Sequence, residues 1–302
     1  MILVRHPRLV IAVAVYNEAR FVEATLRSLL AQTDGDFAVL VADNASTDAT
    51  GTIVQATIAG DPRFHYHRHA ENGGAVFNYE FARQSTDSPF FMWLGGHDRI
   101  TPGFVATHLA ALAARPDCTL SYSLVDRIDE ADRPIKTVDP SRLADITGTP
   151  VERYIRSISR LADCTAINQM LRRSALSPFR ATASADHILL SHLLFHGRAH
   201  RDTTERYCRR VIDGPRESYM ARALAEKNVQ PDAAGPIRAY LEDIAALLAE
   251  GTTRERALRR VRRAASRRFD WQRWPDRWLE IHLRRAHRRW KSWRRAKRLA
   301  AT

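Results

Sequence analysis

Two short apolar runs, each closed by a polar turn, set the frame of this chain. Val10–Val15 is unbroken, rich in β-branched residues and ends in Tyr16-Asn17-Glu18; Phe37–Ala42 repeats the design and ends in Asp43-Asn44. Continuous runs of this kind predict parallel strands covered on both faces, whereas a half-exposed strand alternates. Between them Phe21, Val22, Leu26, Leu29 and Leu30 recur at helical spacing, which predicts a strand–helix–strand unit with its crossover. A further apolar run, Pro89–Leu94, predicts another strand, and Ile237, Tyr240, Leu241, Ile244, Leu247 and Leu248 predict an amphipathic helix that packs.

In open α/β sheets, ligands sit beyond the carboxyl ends of the strands, where Tyr16, Asn17, Glu18, Asp43 and Asn44 fall. Ser46 and Asp48 read as helix caps. Asp43 asks for more, because a carboxylate ending an apolar strand is costly to desolvate without a partner.

Ala14-Val15-Tyr16-Asn17-Glu18, the helix end Ser28–Thr33 and Val41–Thr50 resemble the opening of family 2 glycosyltransferases of the GT-A fold. The resemblance continues through Glu71-Asn72-Gly73-Gly74, Asn78, Phe91–Asp98 and Pro102, and more weakly to about residue 215. Ala14 stands where that family usually has proline. The implied architecture is a mostly parallel nucleotide-binding sheet flanked by helices over residues 1–235, with a helical basic extension over 236–302. The boundary is expected near Gly235-Pro236 or Gly251–Thr253, where breakers interrupt the periodic segments.

The implied chemistry is transfer of a sugar from a nucleotide donor, with a UDP-sugar favoured, to an acceptor hydroxyl with inversion. It requires a nucleoside pocket, a positive charge for the leaving diphosphate and a base for the acceptor proton. Matching positions put Tyr16 beside the base, Asp43 on uracil or ribose, Glu18 near the ribose, and Asn44, Asn72 and Gly73 in the loops that approach the nucleotide. Taken alone, Gly73-Gly74 is a plain turn.

The metal motif departs from the family pattern. Registering on Pro102 lays Gly95, Gly96 and His97 over the usual Asp-x-Asp and Asp98 over the acid that often follows, so the first aspartate is absent and the second is histidine. His97 suits Mn²⁺ as an imidazole ligand, with Mg²⁺ the alternative cofactor, while Asp98 stands to bind the metal or the donor sugar. The competing reading is that both residues cap the turn before Pro102. Without a metal, Arg68, Arg99 or Arg210 would neutralise the diphosphate, Arg210 being the expected phosphate contact near Arg209 and Asp213. Asp186, in Ser184-Ala185-Asp186-His187, resembles the Glu-Asp helix start holding the family's catalytic base, with Ala185 in place of the glutamate. An acid there is held ionised by the helix dipole, or serves only to stabilise the helix. His187 is a weaker candidate for the same role. Asn168–Ser174 resembles the strand and turn on the acceptor side.

Composition changes the picture at the C terminus. The net charge is +13, yet residues 251–302 hold 19 Lys and Arg against 4 acids, and the remainder carries a balance of −2. Five of six tryptophans lie in this tail, and after Pro275 the positions Leu279, Leu283, Ala286, Trp290 and Trp293 form one apolar stripe. Such a helix suits an anionic membrane surface; docking on the catalytic domain and nucleic-acid binding are the other uses weighed, and no nucleic-acid partner is expected. Cys118, Cys164 and Cys208 are odd in number and lack metal spacing, and no apolar stretch reaches spanning length. These features point to a cytoplasmic protein, peripheral on the inner membrane face; joined to the resemblance, they imply a glycosyltransferase acting on a lipid-linked or polysaccharide acceptor. The alternative is a catalytically impaired GT-A scaffold that binds a membrane or a partner.

Overall fold

The computed structural model describes residues 3–161, 163–179, 185–212 and 235–269. The tryptophan-bearing helix expected after Pro275, together with Ser184 and Asp213, lies outside the described residues.

The first strand–helix–strand unit forms as its pattern predicts. After a short strand β1 (Val4–Arg5), β2 (Leu9–Val15) leads through α1 (Val22–Leu30) to β3 (Ala38–Asp43), and the strands pair in parallel with Val15 opposite Asp43. Every residue of β3 is buried, as a strand covered on both faces requires. Helix α2 (Thr50–Ile58) and β4 (Phe64–Arg68) follow, then α3 (Ala75–Gln84), β5 (Thr86–Asp87) and β6 (Phe90–Gly95). β6 also runs parallel to β2, with Gly95 opposite Ala14.

The rest closes the sheet. β7 (Arg99–Ile100), α4 (Phe104–Ala113), β8 (Cys118–Ile128), β9 (Pro134–Val138), α5 (Pro150–Arg160), β10 (Met170–Arg172), α6 (Ala185–His196) and β11 (Arg198–Arg210) follow in turn. The order across the sheet is β4-β3-β2-β6-β10-β8-β11-β7, with β9 paired to β8. β10 is antiparallel to both neighbours, so it separates the nucleotide-binding half from β8 and β11. Val13, Leu26, Met92 and Leu94 belong to the core on one side of the sheet, and Trp93, Tyr122, Leu190 and Leu194 to the core on the other.

Thr149 and Glu152 form a reciprocal capping box at the start of α5, with Pro150 at its first position. Helices α7 (Gly235–Leu247) and α8 (Thr252–Phe269) pack against α5 and α6 through Tyr154, Ile158, Ile188, Tyr240, Ile244 and Val261. The α7 segment therefore packs as its periodicity predicts. α8 turns Ala257, Val261 and Ala265 inward and leaves Arg256, Arg259, Arg260, Arg262, Arg263 and Arg267 exposed. Among the described residues no helix is long and apolar enough to cross a membrane.

Candidate active site

The parallel register brings the polar ends of β2, β3 and β6 to one edge of the sheet, and the turns there bond to one another. Asn17, in the left-handed region at φ 54°, accepts from the Thr47 amide (2.8 Å) and donates its own amide to Ser46 Oγ (3.0 Å). Ser46 thus serves the neighbouring turn, where the sequence had suggested a cap for its own helix. Asp48 lies one residue before the N-cap, Ala49, and its Oδ1 accepts from the Thr50 amide (2.9 Å) in the first turn of α2.

Asp43 is fully buried and has partners. Its Oδ1 accepts from the Ser46 amide (2.8 Å) and its Oδ2 from the Tyr66 hydroxyl (2.6 Å), with Arg68 Nε 3.9 Å away. Burial, with the bond to Asp43, pushes the Tyr66 phenol well up, so it stays a donor. Asn44 spans to the next loop. Its Nδ2 donates to Asn72 Oδ1 (2.7 Å) and to the Gly74 carbonyl (3.1 Å), and its Oδ1 accepts from the Gly73 amide (3.0 Å). A Cβ at residue 73 would meet Phe77 Cδ1 at 2.4 Å, which explains a glycine there. Tyr16, in the turn after β2, is 44% exposed.

The turn after β6 meets the turn after β2. Glu18 Oε1 lies 2.8 Å from His97 Nδ1, and His97 Nε2 lies 3.9 Å from Asp98 Oδ1. Burial alone would push the His97 imidazole down, but the Glu18 hydrogen bond and the Asp98 charge carry it above its ordinary value. A Cβ at residue 96 would meet Val15 Cγ1 at 2.7 Å, and one at residue 95 would meet Asp98 Oδ2 at 2.9 Å. The Asp98 carboxylate therefore fills the space that a side chain at position 95 would use. It is held there by the Tyr207 hydroxyl on Oδ2 (2.7 Å) and the Arg210 amide on Oδ1 (2.9 Å).

Arg210 differs from the expected phosphate contact. Its side chain is buried over the Phe21 ring, donates to the carbonyls of His97 (3.0 Å) and Asp129 (2.9 Å), and pairs with Asp132. Arg99 also pairs with Asp132 (3.1 Å), and Arg68 donates to the Ser46 carbonyl (2.9 Å). Arg209 is the half-exposed neighbour: its Nη1 donates to Thr165 Oγ1 (2.8 Å), and its charge is felt at His97. Thr165 also donates its amide to Asp163 (2.9 Å), whose carboxyl, although half-buried, is held low by bonds from Thr165 and Arg127. Cys164, between them, lies against Asp186 in the first turn of α6. The end of β11 thus joins His97 and Asp98, through adjacent arginines, to the turn that borders Asp186. Asp186 is half-buried, and its Oδ1 accepts from the His187 amide (2.8 Å).

As metal ligands, His97 Nε2 and Asp98 Oδ1 are two donors of the right kind on one side of the turn. Glu18 on Nδ1 fixes the imidazole as an outer-sphere carboxylate does in metal sites. The pair would suit Mn²⁺, with diphosphate and water supplying the ligands that the protein does not.

The sequence profile of glycosyl transferase family 2 matches residues 10–179. The chain belongs to this family. An uncharacterized glycosyltransferase of Rickettsia bellii is 30% identical over 100 residues, 33% of this chain and 14% of that protein. One of Rickettsia felis is 26% identical over 141 residues, 46% of this chain and 23% of that protein. The chain therefore matches less than a quarter of the length of these curated relatives. Among solved structures, S. aureus TarS 1–349 in complex with UDP-GlcNAc superposes with TM-score 0.62 at 18% identity, covering 83% of this chain and 70% of that one. The mannosyltransferase PcManGT of Pyrobaculum calidifontis, in complex with GDP-Man and Mn²⁺, gives 0.51 at 15% identity over 86% and 74%. At these identities the likeness is one of fold, and it identifies the family 2 domain here as GT-A.

Proposed function

We propose that this family 2 domain transfers a sugar from a nucleotide-sugar donor to an acceptor hydroxyl in a single inverting displacement. The observation that carries the proposal is the linkage just described: Asp43 and Asn44 at the end of β3, His97 and Asp98 in the turn after β6, and Asp186 across the end of β11. Those three groups correspond to the three demands of the reaction, namely nucleoside, diphosphate and proton.

In this reading Asp43, Asn44, Asn72, Gly73, Tyr16 and Glu18 surround the nucleotide, and backbone amides near Gly73 approach it closely. His97 and Asp98 would hold a divalent cation, which when bound supplies positive charge against the diphosphate. Arg209, half-exposed beside His97, is placed to add to that charge, while Arg210 shapes the turn from behind. Asp186 takes the proton of the acceptor hydroxyl as its oxygen bonds to the anomeric carbon. The bond from that carbon to the diphosphate breaks, and the nucleoside diphosphate leaves with the electron pair.

The TarS and PcManGT structures carry UDP-GlcNAc and GDP-Man respectively, which supports a nucleotide sugar as donor, and we favour a UDP-sugar. A lipid-linked or polysaccharide acceptor at the inner membrane face fits the exposed arginines of α8 and the basic tail beyond it, which would attach to anionic lipid. A hydrolysis screen over nucleotide sugars, with Mn²⁺ and Mg²⁺ varied, tests the proposal. Slow metal-dependent release of one nucleoside diphosphate is expected; no release from any donor, with no binding of UDP or GDP, contradicts it.

A further inference from the structure

The turn after α5 brings Cys164 to the start of α6. There Cys164, Asp186 and His187 each offer one ligand atom, and these atoms lie within 4.8 Å of one another. Among the described residues no other three such side chains come together in this way. Neighbouring residues on a helix point in different directions, yet one ligand atom of Asp186 and one of His187 both come within reach of Cys164. His187 Nδ1 is buried without a hydrogen-bond partner. An orphaned imidazole nitrogen is a costly state that a ligand relieves.

We propose that Cys164, Asp186 and His187 form a site for a Zn²⁺-class ion, separate from the Mn²⁺-class position at His97 and Asp98. A thiolate, an imidazole and a carboxylate are the donor set of a three-ligand tetrahedral zinc site with one position open. The soft sulfur selects against Mg²⁺ and Mn²⁺, which favour oxygen. Zinc bonds of about 2.0–2.3 Å place ligand atoms roughly 3.5 Å apart, so binding draws the three inward by about an ångström. The Cys164 thiol gives up its proton to solvent as the ion binds. Arg268, whose charge reaches Cys164 and His187, opposes a cation. One positive charge does not offset a thiolate and a carboxylate. The Phe269 ring, 6.3 Å from that of His187, walls the far side.

The consequence for activity rests on reading Asp186 as the base: an ion on its carboxylate occupies the group that accepts the proton, so transfer stops.

The full chain, stripped of metal, is titrated with Co²⁺ and read by thiolate-to-cobalt absorption in the near ultraviolet. One equivalent producing the band, Zn²⁺ displacing it, Cys164→Ser abolishing it and Cys208→Ser retaining it are expected. No band at one equivalent, or a band that survives Cys164→Ser, overturns the site. Where Cys164→Ser does not fold, alkylation of the native chain replaces it: Zn²⁺ should slow modification of Cys164 at least tenfold and leave Cys208 unchanged, and equal rates overturn the site. In parallel, Zn²⁺ added to donor hydrolysis in excess Mn²⁺ should inhibit the native chain at least tenfold more strongly than Cys164→Ser. A cobalt band with undiminished hydrolysis overturns the inhibition and the reading of Asp186 as base together. Loss of activity in Asp186→Asn, together with no cobalt band in the native chain, removes the ion site and leaves the base standing.

Discussion

Glu18 Oε1 and His97 Nδ1 stand 2.8 Å apart and tie the turn after β2 to the turn after β6. Each residue comes from the end of a different parallel strand, so the pair reports the register of the sheet as well as the chemistry of the site. With Nδ1 engaged, the second imidazole nitrogen is left facing Asp98.

Glu18→Gln tests that orienting role. An outer-sphere carboxylate is typically worth 10–100-fold in metal affinity or activity. The Mn²⁺ concentration giving half-maximal donor hydrolysis should rise by about that factor, with the melting temperature nearly unchanged. An unaltered Mn²⁺ response would show that Glu18 does not act through His97.

Tyr66→Phe removes the hydroxyl that donates to Asp43 Oδ2. Hydrogen bonds to buried charged groups are worth about 1.5–3 kcal/mol, and Asp43 is fully buried. Denaturant unfolding should register a loss of that size. UDP affinity, measured by calorimetry, should fall as the carboxylate seeks another partner. A neutral variant would place the support of Asp43 elsewhere.

Gly96→Ala places a methyl where Val15 Cγ1 would be 2.7 Å and Glu18 Cγ 3.0 Å away. Overpacking of this kind costs about 1–3 kcal/mol, and here the yielding atoms include the residue that orients His97. Both melting temperature and donor hydrolysis should drop. A variant as stable and active as the parent would mean the turn has more room than the geometry allows.

His108 is fully buried on α4, with Nδ1 2.8 Å from Ser121 Oγ, and burial pushes its imidazole down to about 4. Between that value and the ordinary 6.5 the unfolded chain binds a proton that the folded chain refuses. Stability contributed by the neutral imidazole is therefore complete above about pH 6.5 and declines as pH falls towards 4, by about 3 kcal/mol at most. Unfolding free energies measured across that window should fall more steeply in the native chain than in His108→Gln. Parallel curves would exclude His108 as the cause.

The framework was legible because it is local: apolar continuity marks β2, β3 and β6, and the polar residues that end them must share one edge once the strands run parallel. The helix start at Asp186 and the packing helix α7 were legible for the same reason. What the sequence could not reveal is contact across long separations. Tyr66 on Asp43, Tyr207 on Asp98 and Cys164 beside Asp186 join residues with no periodic relation. The pair of arginines at 209 and 210 shows the limit most clearly. Adjacent residues on a strand face opposite ways. Sequence alone gave no means of telling which side faced the diphosphate, and the structure turns Arg210 inward over Phe21 and leaves Arg209 half-exposed.

Asp186→Asn tests the central claim most directly, with turnover and nucleotide binding measured on the same preparation. Loss of a general base costs about 10²–10⁴-fold, so transfer should fall by that factor while the dissociation constant for UDP stays within about twofold. Turnover equal to that of the native chain would contradict the assignment of Asp186 as the base on which the mechanism depends.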